Sequence, residues 1–136
     1  MANDPHAGSE KLVPVAPEFF VRDVDASIRF YVDGLGFQLL RRDGDFAVLA
    51  LGDAHVLLAG PGIGGSELRK WIESAPRGVG LNVRIMVDDV DAMYARVKAA
   101  GAPVVDDIKD QDYGLRDFMA ADLDGFVLRF ATPRSR

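Results

Sequence analysis

Cysteine is absent from the 136 residues, which excludes a disulfide framework, a thiolate-bound zinc or iron–sulfur centre and a cysteine nucleophile. Histidine is nearly absent. His6 lies in the polar stretch Met1–Glu10, of the kind that frays, and only His55 falls within a patterned segment, so an imidazole-rich metal site is not expected. No apolar run approaches the ~20 residues that span a bilayer, and Met1–Lys11 lacks the apolar centre of a signal peptide. Neither a membrane partner nor export is expected, and the cytoplasm is the expected compartment. Positive charge is also in deficit: 16 Lys+Arg against 21 Asp+Glu leave a net charge of −5. Without clustered basic residues a nucleic acid is not an expected partner. What is present is a 49% hydrophobic chain, enough for one soluble domain or two small modules around one core. The acidic balance points first to a small cationic or aromatic ligand.

Val13–Val21 is rich in β-branched and aromatic residues and predicts a strand that stops at Arg22-Asp23. Asp23 or Asp25 can cap a following helix, with Ile28, Phe30, Tyr31 and Leu35 mostly on one side, and Gly34 and Gly36 end it. Phe37–Arg41, Phe46–Leu51 and His55–Ala59 predict three short strands joined at the turn dipeptides Asp43-Gly44 and Gly52-Asp53. Gly60–Gly65 is too glycine-rich for regular structure and reads as a hinge. It lacks the Lys-Ser or Lys-Thr that a phosphate loop requires, and Ser66 can cap a short helix through about Ser74. Beyond it, strands are expected at Val79–Val87, Val104-Val105, Arg116–Ala121 and Phe126–Ala131, with a helix over Asp89–Ala100 ended by Gly101.

Both halves therefore spell β-α-β-β-β. Val21-Arg22-Asp23-Val24-Asp25-Ala26 reappears as Val87-Asp88-Asp89-Val90-Asp91-Ala92, and Asp45-Phe46 as Asp117-Phe118. A chance repeat of a good helix start is the alternative to duplication. Each four-strand sheet, too small to stand alone, should cover one face with its helix and curl the other around a cavity. The expected organisation is a flexible start over 1–11, modules over 12–60 and 79–132, a linker with a short helix over 61–78, and a tail over 133–136.

The stretch Val21–Tyr31 with Leu35-Gly36-Phe37, then Val87–Asp91, then Tyr113–Phe118 with Asp122-Leu123-Asp124-Gly125 resembles the vicinal oxygen chelate superfamily, across roughly residues 13 to 132. That superfamily includes glyoxalase I, extradiol dioxygenases, fosfomycin resistance enzymes and bleomycin resistance proteins. Leu123 departs from the proline usual in that turn. The resemblance implies an α+β fold of two βαβββ modules in tandem, forming a cupped, open mixed β-barrel, in a homodimer. It also places the enzymes' four metal ligands at Ala16, about Leu57, Asn82 and Arg129. Ala16 and Leu57 cannot ligate, Asn82 is a weak donor and Arg129 is permanently charged, so no metal and no other cofactor is expected. Pro17 resembles the bleomycin resistance branch, which binds ligands without metal, although proline there also suits the start of an edge strand.

Residues two apart share a strand face, which puts Ala16, Glu18, Phe20, His55, Leu57 and Ala59 on the expected cavity face of the first module. Asn82, Arg84, Met86, Val127 and Arg129 fall on that of the second. Glu18, Asn82, Arg84 and Arg129 are expected to converge there. Glu18 could bridge to either arginine or read a ligand, and His55 could be structural or ligand-facing. Trp71, beside Leu68 and Ile72, could be a lid, a dimer contact or plain packing. Tyr113 and Arg116 lie in a loop where Tyr113 could stack on a planar ligand or pack the turn. With no serine–histidine–acid set available, the expected function is metal-free binding of an antibiotic-like or aromatic small molecule. The alternative is a superfamily enzyme, a glyoxalase-type lyase or isomerase or an extradiol-type dioxygenase, with an atypical active site.

Overall fold

In the computed structural model, which describes residues 10–134, Asp23 and Asp89 start the two module helices. Each accepts a hydrogen bond from the amide three residues on, Ala26 at 3.1 Å and Ala92 at 3.0 Å, relieving an otherwise unpaired first-turn N–H. The first helix, α1, spans Val24–Arg29 and continues as a π-turn through Phe30–Gly34; α3 spans Val90–Ala99. Between them the linker helix α2 spans Ser66–Glu73, with Gly65 rather than Ser66 at its N-cap and no capping side chain. Ser66 is instead the first helical residue.

The strands are β1 (Glu18–Phe20), β2 (Gln38–Asp43), β3 (Phe46–Leu51), β4 (Ala54–Ala59), β5 (Asn82–Met86), β6 (Val104–Asp110), β7 (Leu115–Ala121) and β8 (Val127–Pro133). They form two four-stranded sheets, ordered β1-β4-β3-β2 and β5-β8-β7-β6. Within each, the first pair is parallel and the others antiparallel. This is the α+β architecture expected of two βαβββ modules, and the sheets do not close. Several strand boundaries differ from the pattern, the largest differences having local causes. Pro14 and Pro17 have no N–H to offer, so pairing begins at Glu18, with Pro17 contributing only its carbonyl to Leu57. Gly78 and Gly80 adopt φ of 79° and 84°, which holds the chain out of the sheet until Asn82. β6 runs on to Asp110 because its acidic residues sit on an edge strand with register shifts, where charge is tolerated. Pro133, expected in the tail, still belongs to β8. The start expected to fray, with His6, lies outside the described residues up to residue 9, as do the last two residues of the tail.

Phe19, Val21, Val56 and Leu58 from the first sheet join Ile85, Phe118, Leu128 and Phe130 from the second in one buried cluster with Tyr31, Val90 and Val97. The rings of Phe19 and Phe126 stack across the modules at 4.5 Å. The helix-covered faces of both modules thus share a single core, and the opposite face of each sheet is left open. Polar staples cross the same junction. The Tyr31 hydroxyl donates to Asp122 at 2.7 Å, Arg22 donates to Asp124 at 2.9 Å, and Arg96 donates to the Gly34 carbonyl at 3.1 Å.

Two sequence readings change here. The repeated Asp-Phe pair is not structurally equivalent: Phe46 packs on the open face of its sheet, whereas Phe118 lies in the shared core. The expected hinge at Gly60 is held at its start, because the Gly60 amide donates to the Asp45 carbonyl at 2.8 Å and the Gly62 amide to its carboxylate at 2.6 Å. A stricter constraint lies at the other end of the linker, where a Cβ on Gly78 would collide with the Gly125 carbonyl oxygen at a positive φ. Gly78→Ala is therefore expected to cost about 2–4 kcal/mol in chemical denaturation, from left-handed strain plus a backbone clash.

Candidate functional site

The register puts equivalent residues of the two open faces in corresponding places. On the first sheet Glu18, Leu57 and Val48 stand side by side across β1, β4 and β3; on the second, Arg84, Arg129 and Met119 do so across β5, β8 and β7. One step along, Phe20, Ala59 and Phe46 correspond to Met86, Ala131 and Asp117. Phe20 and Leu57 pack with Phe46, Val48 and Ala59 into an apolar floor, which gives the first face its character.

The second face is polar at its centre. Asp117, only 2% exposed, accepts hydrogen bonds from Gln111 at 2.8 Å and the Tyr113 hydroxyl at 2.5 Å. Arg129 donates to that hydroxyl at 2.8 Å and pairs with Asp117 at 3.3 Å. Burial pushes the Asp117 carboxyl up, but these hydrogen bonds and the Arg129 charge more than offset it and hold it below the usual carboxylate range. Bonding to Asp117 raises the Tyr113 hydroxyl in turn. Arg84, Cα partner of Arg129, is exposed and forms no hydrogen bond or ion pair among the described residues.

The other residues singled out by sequence are dispersed. His55 and Ala16 line a cavity of 180 Å³ on the first face. Asn82 and Val127 line one of 450 Å³ on the second, and Arg84 and Met86 line one of 570 Å³ beside the Leu51–Ala54 turn. Glu18 and Phe20 are half-buried on β1. Trp71 is 79% exposed, on a helix with no buried residue. Arg116 points to the helix side of β7, where it pairs with Asp91 of α3 at 3.0 Å and with Asp110 at 3.3 Å. The four residues expected to converge are thus divided between sheets: Asn82, Arg84 and Arg129 share one face, Glu18 lies on the other, and the ion pair that Arg129 makes is with Asp117. Asp117 and Gln111 were not among the sequence candidates. Alternation along β7, which sets Asp117 on the face of Met119, was the signal for the first.

The profile described as the Glyoxalase/Bleomycin resistance protein/Dioxygenase superfamily matches residues 11–130. The chain belongs to this superfamily. It is 31% identical over 126 residues to a bleomycin resistance protein of Geobacillus stearothermophilus, covering 87% of this chain and 92% of that protein. The crystal structure of TioX from Micromonospora sp. ML1 superposes with a TM-score of 0.70 at 26% identity, covering 91% of this chain and 98% of that one. A glyoxalase/bleomycin resistance protein from Streptomyces sp. CB03234 gives 0.64 at 28% identity, over 85% and 96% of the two chains.

Superfamily membership makes a divalent metal the group to test against these residues, and they do not fit it. The resemblance places the four ligands at Ala16, about Leu57, Asn82 and Arg129; Ala16 and Leu57 have no side-chain donor, and the guanidinium of Arg129 is fixed against Tyr113 and Asp117. Among the described residues no group of three or more His, Cys, Asp or Glu side chains is close enough to hold a metal, and no helix is long and apolar enough to cross a membrane.

Proposed function

We propose that this chain is a metal-free small-molecule-binding protein of the cytoplasm, taking an antibiotic-like or aromatic ligand, and that it works as a homodimer. The observation that carries the reading is the Arg129–Asp117–Tyr113 cluster, built around a residue to which the resemblance assigns a metal-ligand place, which supplies hydrogen bonds and charge but no Lewis acid. Similarity to proteins named for bleomycin resistance supports the same class of function. The open faces support a dimer. Each is turned away from the shared core, and Val79, Leu81 and Val105 around the second face are more than half exposed in a single chain. A second copy brings the first face of one chain against the second face of the other, enclosing two cavities.

Elemental analysis after supplementation with nickel, zinc, iron and manganese, alongside sedimentation of the same preparation, tests the reading. A dimer without stoichiometric metal is expected. One equivalent of metal that raises the melting temperature would replace binding with a lyase or dioxygenase reading.

A further inference from the structure

The first open face is not bare. Residues 10–16 run across it: Glu10, Leu12, Val13 and Ala16 line the 180 Å³ cavity together with Val48, His55 and Leu57. The segment is tied at its start. The Nε–H of Arg41 is shared between the two oxygens of the Glu10 carboxylate, at 3.0 and 3.1 Å, and the side chains of this pair, Glu10 and Arg41, are 4% and 11% exposed. Arg41 is the Cα partner of Val48, so it stands on the open face, where its guanidinium lies 5.7 Å from the Phe46 ring and also meets the Asp43 carboxylate. The space left beneath the segment falls short of the ~300–1,000 Å³ in which drug-sized ligands bury themselves.

We infer that residues 10–16 are a built-in strap that occludes the first open face, latched by the Glu10–Arg41 ion pair, and that a ligand of the proposed class fills this face only when the strap lifts. The inference rests on the binding function proposed above. Its energetics are those of a competent state that is only partly populated: the observed affinity is the intrinsic one reduced by the fraction of molecules with the strap released. Nothing in the sheet depends on the latch, because pairing begins at Glu18, so weakening it raises the open fraction without dismantling the fold.

The test uses the full chain and a neutral aromatic probe, N-phenyl-1-naphthylamine, so that removing a carboxylate does not alter affinity through charge alone. Glu10→Gln is expected to tighten probe binding about three- to tenfold, the range in which a partly buried ion pair shifts a local equilibrium. Probe binding to the wild type is expected to speed amide hydrogen exchange over residues 10–16. Weaker binding by the variant, or slower exchange on binding, would make the segment a wall of the site and overturn the strap. Equal affinity with unchanged exchange would overturn it too, while leaving the binding function standing. Failure of both proteins to bind the probe would remove the binding function, and the strap with it.

Discussion

Asp122→Ala is expected to lower the unfolding free energy by about 3–5 kcal/mol, the largest loss foreseen for a single side chain here. Asp122 is 7% exposed and gathers three donors: the hydroxyl of the fully buried Tyr31 at 2.7 Å, and the amides of Asp124 and Phe126, each at 2.9 Å. Alanine leaves the hydroxyl and the Phe126 amide buried without an acceptor, and each such orphan costs roughly 1–3 kcal/mol. Tyr31→Phe removes one donor and leaves Asp122 its two amides, so a loss of about 1–2 kcal/mol is expected. The double variant should cost less than the sum of the singles, since each single loss contains the same broken bond. Urea denaturation of the four proteins measures this, and a loss below about 1 kcal/mol for Asp122→Ala would show that water reaches the junction.

The same aspartate shows how far the sequence could be read. The motif Asp122-Leu123-Asp124-Gly125 was visible, as were the two capped helix starts and the double βαβββ order. What hid was the use of the motif as a staple between modules, because its partners Arg22 and Tyr31 lie 102 and 91 residues away in sequence. Period-two alternation sorted the strand faces of β1, β4, β5 and β8 correctly, with Phe19, Val56, Ile85 and Leu128 inward. Alternation does not set whether the faces that carry Glu18 and Arg84 meet within a chain or between two copies; in one chain the two residues occupy equivalent places on separate sheets. Local chemistry decided the remaining differences. Proline at 14 and 17 and positive-φ glycines at 78 and 80 shorten strands that composition alone would extend. Asp45 fastens a glycine run that composition alone would leave mobile.

Asp117→Ala is expected to cost about 2–3 kcal/mol at neutral pH, less than the loss from a fully buried pair because Arg129 keeps a quarter of its side chain in solvent. The pH dependence identifies the cause. Asp117 is held below its ordinary range, so its native state binds fewer protons than the unfolded chain. Its contribution is present above the unfolded value and lost as pH falls through the folded one. The deficit of Asp117→Ala relative to wild type should therefore be largest near neutrality and shrink on acidification. Asp122 has the opposite sign. Burial raises it, the hydrogen bonds from Tyr31 and the two amides return only part of that shift, and Asp124 adds to the rise. Its contribution is complete below the unfolded value and falls as pH climbs through the folded one, so the deficit of Asp122→Ala should be larger in acid than at neutrality. Unfolding free energies for the two variants and wild type across the carboxylate range should give deficits with opposite slopes. Parallel slopes would mean that one of the two carboxylates is not held as described. If the slope of Asp117→Ala is the one that fails, then Asp117 is not held by Tyr113, Gln111 and Arg129 as described, and the polar cluster on which the binding function rests fails with it.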